Sequence, residues 1–206
     1  MKQLYIILSL FFTFISQAQS VSEKIIVAAD ITSIQIDGNS MFKIEVESKP
    51  VDEISIQSRV EGENNAGYIL VTEIKNETLY IAVKKQPSFK NANDKLSAHK
   101  VISIELFLVF PENKELSIVS DIASVDLKGI YKKAVVSLFN GNCNFHSFRG
   151  NAKINTIDGN VYLETNYAKI TAHSKNGKIE KEKIVAGEHV ISTKTINGNI
   201  RLTKSQ

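Results

Sequence analysis

Two polar columns flank a recurring glycine in the C-terminal half, and they hold the residue types best suited to meeting a ligand. One column is Asn140, Asp158, Asn176 and Asn197; the other is Asn142, Asn160, Lys178 and Asn199. Between them stand Gly141, Gly159, Gly177 and Gly198. Read as chemistry, these side chains form a stripe able to hydrogen-bond a sugar or to approach Ca²⁺. Calcium favours several carboxylate oxygens, and the rows offer one carboxylate, Asp158. Read as architecture, Asn-Gly and Asp-Gly are turn residues that tolerate positive φ, and stacked asparagines build amide ladders. The turn-and-ladder reading takes precedence over the ligand stripe.

Other reactive residue types are scattered. Glu164 and Glu182 share an outward column, with His146 in the same column one repeat earlier. A carboxylate pair is what a polysaccharide-cleaving enzyme uses, although two outward acids on a sheet more simply form a solvated face. His99, His146, His173 and His189 lack H-x-H or H-E-x-x-H spacing, so no metal site is expected. No nucleophile motif or phosphate-binding glycine loop occurs, and no cofactor is expected. Cys143, the sole cysteine, sits in an alternating apolar run and reads as a small buried hydrophobe. Asn76-Glu77-Thr78 fits a glycosylation acceptor, a pattern frequent by chance.

These residues need elements to position them, and the spacing supplies one. The glycines follow one another at intervals of 18, 18 and 21 residues, and Ala123 stands where an earlier glycine would fall. Before the turn, alternate positions are aliphatic or small: Leu116, Ile118, Ser120; Ala134, Val136, Leu138; Ala152, Ile154, Thr156; Ile170, Ala172, Ser174; Ile191, Thr193, Thr195. After it come Val125 and Leu127, Cys143 and Phe145, Val161 and Leu163, Ile179 and Lys181, Ile200 and Leu202. A fixed period of about 20 residues marks units that bury a shared core by stacking. The expected fold class is all-β, a parallel β-helix (β-solenoid) of roughly 18-residue coils. An antiparallel meander is the alternative, since Asn-Gly also signals hairpins. Lys181 breaks the inward column, and the interval of 21 implies an insertion over 181–189.

Ahead of the repeats, runs such as SIQIDG (33–38), FKIEVES (42–48), ISIQSRV (54–60) and TLYIAVK (78–84) alternate apolar with polar residues, as half-buried strands do. Pro50, Pro87 and Pro111 fall between strands, and 85–98 reads as a polar loop. Residues 1–18 carry Lys2, an apolar run and the small residues Ser16 and Ala18, the pattern of a cleaved signal peptide. The expected organisation is a leader (1–18), an N-terminal β-strand region (19–110) that caps or continues the repeats, and the repeat region (111–206). With 25 basic against 22 acidic residues, a net of +3, the overall balance gives no footprint for nucleic acid. No further segment is long and apolar enough to span a membrane.

The repeated N-G-N and D-G-N turns, in short β-rich segments behind a leader, resemble the head-GIN-domain "putative auto-transporter adhesin" family and the β-strand-repeat putative adhesins of bacterial envelopes. Residues 33–84, 103–129 and 133–203 carry the likeness, and the leader with Gln19 is similar to exported proteins of Bacteroidetes. The resemblance implies a parallel β-helix at the envelope or exterior and supplies no catalytic residues. The expectation is a non-enzymatic adhesin or ligand-binding scaffold, in the periplasm, at the outer-membrane surface or outside the cell. Its partners would be a glycan or an envelope protein. The alternatives are a glycan-active β-helix enzyme and a periplasmic structural or sensor partner. An open last coil, with Leu202 four residues from the end, would be covered by Lys204 and the tail or would pair end to end with a second copy.

Overall fold

The structure, a computed structural model, describes residues 19–62, 67–86 and 102–205. The expected leader, His99 and most of the polar 85–98 segment lie outside the described residues. Among the described residues the extended elements are all β-strands. The strands are β1 (Gln19–Val27), β2 (Ser33–Asp37), β3 (Lys43–Lys49), β4 (Glu53–Glu61), β5 (Tyr68–Lys75), β6 (Thr78–Lys85), β7 (Ser103–Pro111) and β8 (Glu115–Ser120). They continue as β9 (Ser124–Asn140), β10 (Cys143–Asp158), β11 (Val161–Thr165), β12 (Ala168–Ser174), β13 (Ile179–Lys181), β14 (His189–Thr195) and β15 (Ile200–Lys204).

All fifteen join one hydrogen-bonded network, because β9 and β10 are long enough to bend and serve two ladders. One ladder runs β5-β6-β2-β8, then the second halves of β9 and β10, then β14 and β12. The other runs β1-β4-β7-β3, then the first halves of β9 and β10, then β11, β15 and β13. Every pairing from β6 and β7 through to β12 and β13 is parallel. The antiparallel strands β5, β4 and β1 flank that array on one side. Lys24 Nζ of β1 donates to Thr72 Oγ1 of β5, tying the two flanking strands together. Both ladders cross residue 111 without a break, β2 pairing with β8 and β3 with β9.

Alternation fixes which side is apolar. In β7 the burial pattern is strictly alternate, with Ile104, Leu106, Leu108 and Phe110 buried. The same holds for Cys143 and Phe145 in β10 and for Val161 and Leu163 in β11. These side chains meet in one core between the ladders. At the corner away from the turn glycines, Tyr131 stacks on Phe148 with ring centroids 5.3 Å apart and meets Phe110 edge-on at 5.6 Å. Its hydroxyl reaches the carbonyls of Val46 at 3.1 Å and Lys128 at 3.0 Å. Burial pushes the tyrosine pKa well above its ordinary value.

The units do not stack in chain order. Val161 pairs with Ile200, and Ala152 with Ile191, so unit 189–204 lies directly beside unit 151–165. Unit 168–181 lies outside it, with Ile179 against Ile200. The expected succession, in which each unit covers the one before it, is therefore corrected at the C-terminal end. The 21-residue interval accommodates the crossing through 182–188. The coil containing Leu202 is interior, and the open edge belongs to β12 and β13. There Lys181 is exposed at an inward-column position, and Lys169, Lys175, Lys178 and Lys183 are exposed around it, the charged dressing that discourages strand addition. A similar reversal occurs at the other end, where β2 and β3 lie between the pair β6 and β7 and the pair β8 and β9.

Spatial order sets the cost of truncating a side chain. Ile191 is fully buried, whereas Ile170, on the outermost unit, is only half-buried. Ile191→Ala is expected to cost about 2–4 kcal/mol and Ile170→Ala no more than about half of that, read from urea unfolding. The opposite ranking would restore the chain-order stack.

Candidate functional site

The turn glycines form a column whose members lie against one another's carbonyls. A Cβ on Gly159 would sit 1.9 Å from the Gly141 oxygen, one on Gly198 1.9 Å from that of Gly159, and one on Gly177 1.9 Å from that of Gly198. Gly141 meets the carbonyl of Ala123 at 2.0 Å in the same sense. Only Gly141 of these four has a positive φ, 143°. The expected reason for glycine, φ freedom, is corrected at the other three: close backbone approach requires it.

The three approached glycine carbonyls are each bonded from the inward column. Thr156 Oγ1 donates to the Gly141 carbonyl at 3.1 Å, Thr195 Oγ1 to Gly159 at 2.9 Å, and Ser174 Oγ to Gly198 at 2.7 Å. Ser120 Oγ donates to the Gly38 carbonyl at 2.8 Å in the first ladder's N-terminal part. These hydroxyls look anomalous in an apolar column by sequence; the corner carbonyls explain them.

The asparagine columns lie outside this corner and are linked along the stack. The backbone N–H of Asn160 donates to Asn142 Oδ1 at 2.9 Å, that of Asn199 to Asn160 Oδ1 at 2.8 Å, and that of Lys178 to Asn199 Oδ1 at 2.8 Å. In the other row Asn197 Nδ2 donates to Asp158 Oδ1 at 2.5 Å, and Asn176 Nδ2 to Asn197 Oδ1 at 2.6 Å. Asn140 is exposed, and its backbone N–H donates to the Asp121 carbonyl at 2.8 Å. Much of the rows' hydrogen-bonding capacity is thus spent within the protein.

Glu164 and Glu182 are not adjacent. β15 separates them, with Thr203 opposite Glu164. Glu164 accepts from Ser147 Oγ at 3.4 Å and Glu182 from the Lys204 N–H at 2.9 Å. His146 lies 3.9 Å from Asp126, whereas His173 and His189 are on the opposite ladder. Among the described residues no cluster of His, Cys, Asp and Glu could hold a metal. Cys143 is fully buried, and burial pushes its thiol up to about 12, far from a reactive thiolate.

Charge is partitioned between the two outer faces, which the net balance conceals. On the ladder carrying β3 and β7, acids and bases are interleaved and paired: Lys43 with Glu45, Lys128 with Glu47 at 3.0 Å, Lys49 with Glu47 at 2.7 Å and Arg59 with Glu105 at 3.6 Å. The Glu45 hydrogen bond raises the Lys43 pKa, and the Lys49 hydrogen bond lowers that of Glu47. A shallow hollow of about 450 Å³ on this face is lined by Lys43, Glu45, Glu47, Asp126 and Lys128 with Phe107 and His146. A second, about 460 Å³, lies on the other ladder between Tyr80, Glu73, Asp37 and Ser117. Farther along that ladder, Lys133, Lys153, Lys169, Lys175 and Lys194 are exposed and make no ion pair among the described residues. Sequence reasoning missed this patch because it summed charge over the chain; the outward positions of the repeats, taken alone, carry the signal.

Comparison with solved structures gives one counterpart of the fold and weaker likenesses. A putative cell adhesion protein from Clostridium sporogenes superposes with a TM-score of 0.58 at 17% identity, over 90% of this chain and 100% of that one. A putative adhesin from Bacteroides fragilis gives a TM-score of 0.42 at 12% identity, over 89% and 97%. A putative lipid binding protein from Parabacteroides distasonis gives 0.28 at 12% identity, over 92% and 98%. No family model and no curated protein sequence matches the chain. At these identities the first likeness speaks for the fold alone, an all-β chain with a large sheet.

Gly159→Ala tests the corner directly. With a neighbouring oxygen 1.9 Å from the new methyl, the two units must part, and a loss of about 2–3 kcal/mol is expected in urea unfolding. Wild-type stability would show that the column is not closely packed.

Proposed function

We propose that the chain is an exported, non-enzymatic β-solenoid of the head-GIN type that works as an adhesion or ligand-binding scaffold of the bacterial cell envelope. Constant register carries this reading. From β8 onward, equivalent outward residues of neighbouring units fall opposite one another, so each unit presents its outward side chains one strand spacing from the next. Repeated weak contacts to a polymer or an array add through effective concentration. The likeness in fold to a putative cell adhesion protein supports the same reading.

An enzymatic role is less well supported, because the acids that suggested it are separated by a strand and engaged in hydrogen bonds. Among the described residues no helix is long and apolar enough to cross a membrane. The pattern of residues 1–18 supports export to the periplasm, the outer-membrane surface or the exterior, with a glycan or an envelope protein as the partner. A second copy adding end to end would have to do so at the β12 and β13 edge, against the lysines exposed there, which favours the glycan or envelope protein as partner.

The test is an array of glycans and envelope proteins probed with residues 19–206. Retention on at least one class of feature is expected. A blank array would remove the binding-scaffold reading.

A further inference from the structure

We infer that the outward face formed by 133–140, 151–158, 189–196 and 168–175 binds a linear acidic polysaccharide, the uronate rings resting on Ile157 and Ile196 while Lys175 and Lys194 meet their carboxylates. The inference rests on the scaffold reading above and gives that scaffold a ligand class.

Register builds the surface. Asn155 lies opposite Lys194 and Lys194 opposite His173, while Lys153 lies opposite Ser192 and Ser192 opposite Thr171. Neighbouring strands stand about 4.8 Å apart, and outward residues along a strand about 6.7 Å. The five lysines therefore occupy a flat patch on the order of 15–20 Å across. Carboxylates stand only at its borders, at Glu115, Asp121, Asp158 and Glu188. Two of them are engaged, Glu115 by Lys132 at 2.8 Å and Asp158 by Asn197 at 2.5 Å. Such a one-sign surface gathers polyanions and raises their encounter rate. The opposite face, with its own acids among its bases, cannot do so.

The patch also contains a hollow of about 310 Å³, lined by Asn155, Ile157, His173, Lys175, Lys194 and Ile196 among others. An acidic sugar has the matching parts: an apolar C–H face for the isoleucines, a carboxylate for the ammonium groups, and hydroxyls for amide and hydroxyl neighbours such as Asn155 and Ser192. Nucleic acid fits less well. The outward positions hold lysines and no arginine, so bidentate phosphate forks are missing. Phe139, beside Ile157, is the face's single Phe, Tyr or Trp, and one ring gives no platform for stacking successive bases.

The experiment titrates residues 19–206 with polygalacturonate, against neutral dextran, a 30-nucleotide single-stranded DNA and phosphatidylglycerol vesicles. Polygalacturonate is expected to bind at low salt and to weaken steeply as the screening length shortens to about 8 Å at physiological ionic strength. The double variant Lys175→Gln/Lys194→Gln should lose about tenfold in affinity. Lys43→Gln/Lys128→Gln, on the paired face, should stay within about twofold of wild type. Lys128, Lys175 and Lys194 are exposed and Lys43 is half-buried, and unchanged thermal melting confirms that the variants fold. Equal binding by both doubles, or tighter binding of DNA or vesicles than of polygalacturonate, overturns the inference. If polygalacturonate is ignored while the array finds another ligand, this inference falls and the scaffold reading stands; if both are blank, both fall.

Discussion

Everything in the repeat region hangs on how closely one corner glycine approaches the next. With a carbonyl oxygen 1.9–2.0 Å from where a methyl would be, no other residue lets the units close to strand spacing. Once they close, a threonine or serine from the inward column completes the carbonyl, and an asparagine outside it receives an N–H from the neighbouring unit. Hydrogen bonds on both sides of the glycine then hold the register, and register decides which side chains meet. Shifting it by one residue would exchange core and solvent faces throughout a strand. Ala123 is tolerated at its place because the neighbour there is the Phe42–Lys43 segment and not another turn glycine.

The second consequence is order. The segments TIDGNVYL (156–163) and TINGNIRL (195–202) are near copies because they are neighbours, glycine against glycine and Val161 against Ile200. Unit 168–181, written between them in the chain, is placed beyond them. Its departures follow from that position. Lys181 at an inward site and half-exposed Ile170, Ala172 and Ile179 are affordable only where no further unit must be covered. The partly formed β13, three residues long, belongs to the same open edge.

Much of this was legible in the residues. Period-two alternation located the strands, the inward columns named the core from Leu116 to Leu202, and the glycine spacing marked the corner. Stacking order was not legible, because units of one period have interchangeable inward columns: Ile170, Ala172 and Ser174 would fit against Ala152, Ile154 and Thr156 as well as Ile191, Thr193 and Thr195 do. Nor was the reason for glycine, since an Asn-Gly pair looks the same whether it serves φ or close approach. The lysine patch was hidden for another reason. Its members are far apart in the chain, from Lys133 to Lys194, and only parallel register gathers them on one face with acids at the borders alone.

Cross-linking tests the spatial order most directly. Asn155 and Lys194 are register partners, at the separation that disulfides span, whereas Asn155 and His173 are two strands apart, beyond the ~7 Å limit between Cα atoms. Cys143 is buried and stays out of the exchange. Under mild oxidation Asn155→Cys/Lys194→Cys should close a disulfide in the folded protein, and Asn155→Cys/His173→Cys should not. Closure of the second pair and not the first would return the units to chain order and contradict the account.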